Sequence, residues 1–296
     1  MSLKPLVASG AAGFVGGALI GLVGWGGAQV VIPSLHHPVV GATGAQAAAV
    51  SLCALSMSAV TGGVAYALDN SADLLVAGAI GAPAMLGARQ GVRIASKLST
   101  AASGAIFNGL SVIMIPTHFA VQHYRRAHAV ADADAGSGHS GPAIAGHVVF
   151  GYFQGVSSAV MGVGGLPMAM SYLTLACPTL PHHLVQGTAM ASVVPGILAS
   201  GAAHLVAGNV PYKLAAAVAV GSSAGATVGA RGALNLDETS LRDLYMASLV
   251  VLGGRSVVAA AMNVRTVLAA GALAAPRSPA HVVPNMLLRQ AMSKVR

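Results

Sequence analysis

The chain has 296 residues, of which 55% are apolar and 7% charged, with a formal net charge of +8. A soluble domain carries about 25% charged residues, so a water-facing globular surface is excluded and lipid is the expected solvent. The basic residues are scattered and do not interleave with aromatics, which argues against a nucleic-acid face. They suit loops and a tail lying against an anionic leaflet.

Crossing the hydrocarbon core takes about 20 apolar residues in a helix. On that measure helices are predicted near 6–33, 46–68, 73–95, 100–120, 143–172, 184–207, 212–232 and 243–264. The expected fold is therefore an all-α membrane protein of about eight transmembrane helices. The first apolar segment lacks a cleavage pattern and is read as retained. The first and fifth segments are too long for simple spans and carry glycine clusters in their middles. The polar stretch 121–142, with Arg125, Arg126, Asp132, Asp134 and a Gly-Ser-Gly, reads as a linker between halves 1–120 and 143–264. Residues 265–296 form a basic tail.

The halves repeat. Gly13, Gly17, Gly24, Gly26 and Gly27 match Gly151, Gly155, Gly162, Gly164 and Gly165 at one offset, which also carries Gly63 onto Gly201 and Tyr66 onto His204. After a short insertion, Gly87-Ala88-Arg89 is aligned with Gly229-Ala230-Arg231. Internal repeats are a common build of secondary transporters, with the substrate at the repeat interface. Parallel and inverted repeats both remain open.

Glycine at the density of 21–27 and 155–165 weakens a helix. A break there starts new half-helices at Gly26-Gly27 and Gly164-Gly165, whose N-termini offer unpaired donors and a positive dipole end to an anion. Close helix–helix contact is the competing explanation of the same glycines. The polar side chains nearby are Gln29, Gln154, Ser157 and Ser158. Gln154 and Ser158 share one face, and interhelical hydrogen bonding is their alternative use. Thr188 and Ser192 lie one turn apart. The candidate substrate contacts are these, Gly24, Gly26, Gly27, Gly162, Gly164 and Gly165, together with His204 and Arg255.

A glycine-spaced helix running into Gly-x-Gly-Gly, twice, each followed by a Gly-Ala-Arg, resembles the sulfite exporter family (TauE/SafE type). The second half carries it most fully, in Gly151 to Pro167, His183-Leu-Val-Gln-Gly-Thr188-Ala-Met-Ala-Ser192, His204, Asn209-Val-Pro-Tyr-Lys-Leu and Gly229-Ala-Arg231. The resemblance spans about residues 10 to 262. It implies movement of small sulfur-containing or organic anions across a membrane. The chain departs from the pattern at Ala28, Leu166 and Val50.

The seven acidic residues (Asp69, Asp73, Asp132, Asp134, Asp237, Glu238 and Asp243) all fall at loops or helix ends. Cation pathways normally use a buried carboxylate, so anion handling is favoured. Arg255 lies inside a predicted span, facing a cavity or snorkelling. Arg89 and Arg231 end the third span of each half, as headgroup anchors or entry charges. His36-His37 and His182-His183 read as solvated loop histidines, and the linker histidines lack a zinc spacing. No strand-to-helix nucleophile elbow, His-Glu-x-x-His or buried acid pair suggests an enzyme, since the Gly-x-Ser-x-Gly string at Gly221 to Gly225 lies inside a predicted span, and no cofactor is expected. An anion channel and a non-transporting assembly subunit are the alternatives. Positive charge at Lys4, Arg125, Arg126, Lys213 and the tail, against Arg89, Arg93, Lys97, Arg231 and Arg242, places both termini in the cytoplasm of a plasma-membrane protein. Homo-oligomerisation is left open.

Overall fold

The computed structural model describes residues 3–98 apart from 43 and 96, residues 139–251 apart from 163, 179, 207 and 209, and isolated positions at 106, 109, 112, 113, 116, 117, 119–121, 123, 254 and 258. Its elements are α1 (Leu3–Val23), α2 (Gly27–His36), α3 (Gly44–Leu68), α4 (Leu74–Ala95), α5 (Gly141–Met161), α6 (Leu166–Ala176), α7 (His182–Val206) and α8 (Tyr212–Leu234). A further helical run covers 238–251. Most of the expected span 100–120, the linker interior, the basic tail and Arg255 lie outside the described residues.

The chain is an all-α integral membrane protein. Among the described residues, Leu3–Val23, Gln46–Leu68, His182–Val206 and Tyr212–Leu234 are long and apolar enough to cross a membrane. Their outer faces present Val64, Leu198 and Val220 to the surroundings, with Val220 74% exposed. That costs free energy in water and nothing in hydrocarbon.

Glycine lets the helices touch backbone to backbone. A Cβ at Gly13 or Gly17 would collide with the carbonyls of Val218 or Ser222, and one at Gly225 or Gly229 with those of Phe14 or Ala18. α1 and α8 therefore run parallel in close contact. Likewise Gly151 and Gly155 abut the carbonyls of Ile80 and Ala84, while Gly87 and Gly91 abut those of Tyr152 and Val156. These are the same contacts moved by 138 positions (151 − 13, 218 − 80, 225 − 87). The first helix of each half packs on the last-named helix of the other, so the halves interlock.

This corrects the sequence alignment at one place. The offset of 138 holds through α4 and α8 without an insertion, so Gly87 corresponds to Gly225, Gly91 to Gly229 and Arg93, not Arg89, to Arg231.

The repeat mates α3 and α7 cross antiparallel. Cys53 Sγ lies 3.8 Å from the Gly201 carbonyl, and a Cβ at Gly63 would lie 3.6 Å from Ala191 N. A two-fold that exchanges antiparallel mates lies across the helix axes, which is the inverted-topology arrangement.

A second correction concerns the long first segment of each half. Neither continues across the membrane after its break. Val31 returns to Gly16, with its Cγ2 2.9 Å from where a Cβ of Gly16 would stand. In the second half Tyr172 stacks on Phe150 with centroids 3.8 Å apart and bonds His147 Nδ1 at 2.9 Å. Both α1–α2 and α5–α6 are helical hairpins.

Each hairpin changes the side on which the following helix starts. α1, α3 and α8 point one way and α4, α5 and α7 the other. Lys4, Arg89, Arg93, Lys97 and Lys213 therefore collect at one end of the bundle. Asp69, Asp73, Asp237 and Glu238 collect at the other, with Arg231 and Arg242. Asp237 accepts from Ser240 N at 3.0 Å, and hydrogen bonds from Ser240, its side chain first, hold that carboxyl below the usual range.

Candidate functional site: the chamber between the half-helix tips

α1 stops at Val23 because Gly24 and Gly26 take φ of 74° and 99°, and α2 restarts at Gly27 with Gly26 as its N-cap. α5 stops at Met161, Gly162, Gly164 and Gly165 take φ of 76°, 79° and 72°, and Gly165 caps α6. Any residue with a Cβ pays about 1–2 kcal/mol for this left-handed geometry.

Breaking a helix frees backbone groups that must find partners at membrane depth. The Gly21 carbonyl accepts from Tyr66 Oη at 3.0 Å and from Gln186 Nε2 at 3.1 Å. The Gly165 carbonyl accepts from Gln154 Nε2 at 3.3 Å and from Ala169 N at 3.1 Å. Helix geometry leaves the first N–H groups of α2 and α6 without an intrahelical acceptor. Pro167 removes one donor from the second set.

Both tips line one chamber of ≈ 20 Å³. Its walls come in mates 138 positions apart: Gly26 and Gly164, Ala28 and Leu166, Gln29 and Pro167, Leu55 and Val193, Ala59 and Ile197. The chamber therefore sits on the pseudo-two-fold, beside the middles of α3 and α7. Its volume admits about one water. None of the described residues lining it is charged. Trp25 lies between the tip glycines, lines the chamber and is 2% exposed, and its Nε1–H has no hydrogen-bond partner.

The symmetry is broken in polarity. Where the first half has Gly16, Ile20 and Ala48, the second has Gln154, Ser158 and Gln186. Ile20 reaches the place a Cβ of Gly27 would take, whereas Gln154 Cγ and Ser158 Cβ stand 3.0 and 3.4 Å from a Cβ of Gly165. Ser158 Oγ, Gln154 Oε1 and Gln186 Oε1 are buried with no hydrogen-bond partner. The half-helix α6 thus starts among spare polar atoms, and α2 starts against an aliphatic wall.

Of the expected contacts, Gly26, Gly27, Gln29 and Gly164 line the chamber, and Gly165, Gln154 and Ser158 back it. Gly24 faces Gln186 and Met170, and Gly162 faces Ala48. Ser157 is only partly buried on α5. Thr188 has other work, since its Oγ accepts the Asp73 N–H at 2.8 Å and ties α7 to the start of α4. Ser192 bonds back to the Ala189 carbonyl at 2.8 Å. His204 is partly buried toward the end of α7, outside the chamber lining. The histidine pairs also divide. His36 and His37 are exposed, but His182 is 1% exposed and meets Tyr245 edge-on at 5.6 Å, contrary to a solvated loop.

Trp25 and Gln186 were not among the expected contacts. Trp25 is the chain's single tryptophan, set among glycines, and Gln186 is the one polar member of its mate pair. Both signals are present in the sequence.

The family described as Sulfite exporter TauE/SafE matches residues 9–256. A curated relative, the probable membrane transporter protein YdhB of Bacillus subtilis (strain 168), is 26% identical over 227 residues, covering 74% of this chain and 86% of the relative. No solved structure matches the chain.

Proposed function

Because the chain belongs to the sulfite exporter TauE/SafE family, we propose that this membrane transporter carries small anions, namely sulfite and other sulfur oxyanions, sulfonates or small organic acids, through the chamber where its half-helices meet. The observation carrying this reading is convergence. Two helix N-termini and Trp25, whose indole N–H is unpartnered, line one chamber that is uncharged among the described residues. Helix N-termini favour negative charge, and a donor set without carboxylates disfavours cations. Gln154 and Ser158 make the α6 tip the stronger anion contact, because Ile20 fills the equivalent place at α2.

A carrier accounts for the geometry better than a channel does. The chamber has room for about one water, too little for a continuous conducting path, and inverted repeats offer two related arrangements in which the chamber opens to opposite sides. Lys4, Arg89, Arg93, Lys97 and Lys213 at the N-terminal end of α1, against Arg231 and Arg242 at the other end, support a cytoplasmic position for that end by the positive-inside rule, in a plasma membrane on this reading.

The single tryptophan supplies the test. Titrating the purified protein with sulfite, thiosulfate, a small sulfonate and acetate should change the Trp25 emission saturably. Equal ionic strength of sodium chloride should not. Liposomes should then move the same anions. Metal-cation flux without anion flux, or emission indifferent to every anion moved, overturns the proposal.

A further inference from the structure

Away from the chamber, an open groove of ≈ 530 Å³ runs between α3 and α8. Val60, Val64 and Leu68 of α3 form one stripe along its wall, and Asp69 and Arg231 also line it. The stripe is about 12 Å long at 1.5 Å per residue, close to one leaflet's share of a core about 30 Å thick. Because α3 and α8 run parallel, their C-terminal ends reach the same end of the bundle. That puts Asp69 and Arg231 together at the groove's mouth and the apolar stripe below it.

The two mouth charges are exposed and do not pair with each other. Asp69 Oδ2 accepts from Ser71 Oγ at 2.9 Å, which leaves its other oxygen available. An apolar trough of leaflet depth, with a cation and an anion at headgroup level, is complementary to one class of molecule. We propose that this groove binds a zwitterionic phospholipid with a primary ammonium headgroup. One acyl chain lies along Val60, Val64 and Leu68, the phosphate meets Arg231, and the ammonium meets Asp69. An anionic lipid satisfies Arg231 but brings its charge to Asp69. A choline headgroup has no N–H to donate to the carboxylate. The inference does not depend on what the chamber carries.

The test uses the full-length protein, equilibrated in detergent with equal amounts of phosphatidylethanolamine, phosphatidylcholine and phosphatidylglycerol, and native mass spectrometry of the lipids retained. The wild type should retain phosphatidylethanolamine preferentially. Arg231→Gln should lower retention of all three lipids, each of which presents a phosphate to it, by about tenfold, the worth of one charge-assisted contact. Asp69→Asn should erase the preference for ethanolamine over glycerol while phosphatidylglycerol retention is kept or increased. Both side chains are exposed, so melting in detergent alone checks that the variants fold. Equal or better retention of phosphatidylglycerol by the wild type overturns the proposal. So do variants that retain lipid as the wild type does, or a Val64→Cys variant that cross-links two copies through the groove.

Discussion

Replacing Trp25 with Phe tests the chamber at a single atom. The ring stays apolar and nearly fills the same space, but the Nε1–H is gone. In the structure that N–H has no hydrogen-bond partner, so its loss takes no hydrogen bond from the folded state. The smaller ring costs about 1 kcal/mol of packing. With an anion in the chamber the account differs, because a hydrogen bond to a charged group contributes about 1.5–3 kcal/mol. At about 1.4 kcal/mol per tenfold, Trp25→Phe should weaken the anion's half-saturation by about 10- to 150-fold while melting falls only slightly.

Proteoliposome flux against anion concentration, beside a thermal melt in the same detergent, separates the two effects. Unchanged half-saturation and maximal flux in a stable variant would show that the indole is a wall and not a ligand, and the chamber would lose its main donor. A proportional loss of stability and flux would place Trp25 in packing alone.

The interlocking helices and the break support further measurements. Gly17→Ala and Gly155→Ala each force a Cβ onto a backbone carbonyl and should each cost about 1–3 kcal/mol, whereas Gly78→Ala, with nothing within 4 Å, should be neutral or stabilising by up to about 1 kcal/mol; unfolding titrations read all three. Thr188→Val leaves the half-buried Asp73 N–H without its acceptor and should cost about 1 kcal/mol of stability, with anion half-saturation unchanged in flux assays. Ser158→Ala should raise half-saturation about threefold to tenfold and leave the melt within about 1 kcal/mol of wild type; no change in flux would remove the α6 tip from the anion's contacts.

Much of this architecture is legible in composition and glycine spacing, because both report on local physics. Charge scarcity states the solvent, and clusters such as Gly24-Trp25-Gly26-Gly27 state that the backbone leaves the right-handed helix there. What spacing does not carry is direction. A half-helix restarting at Gly27 has the same sequence whether it runs onward or folds back, and only the contact of Val31 with Gly16 chooses. That choice reverses the side of the membrane assigned to Arg89, Arg93 and Lys97. It turns an ambiguous charge distribution into a segregated one. The misplaced insertion has a related cause. Gly87 and Gly91 stand one helical turn apart, as do Gly225 and Gly229, and residues four apart share a face. A repeat can therefore be slid by a turn with every glycine still on the packing face. The Gly-Ala-Arg match takes advantage of that freedom, while the carbonyls of Phe14 and Tyr152 do not allow it. The same reasoning limits Gly165→Leu as a probe of transport. The residue has φ of 72°, and its Cβ would stand 3.0 Å from Gln154 Cγ, so the substitution strains the cap before it reaches any anion. Ser158 and Trp25 are the positions where chemistry can be changed with the backbone left as it is.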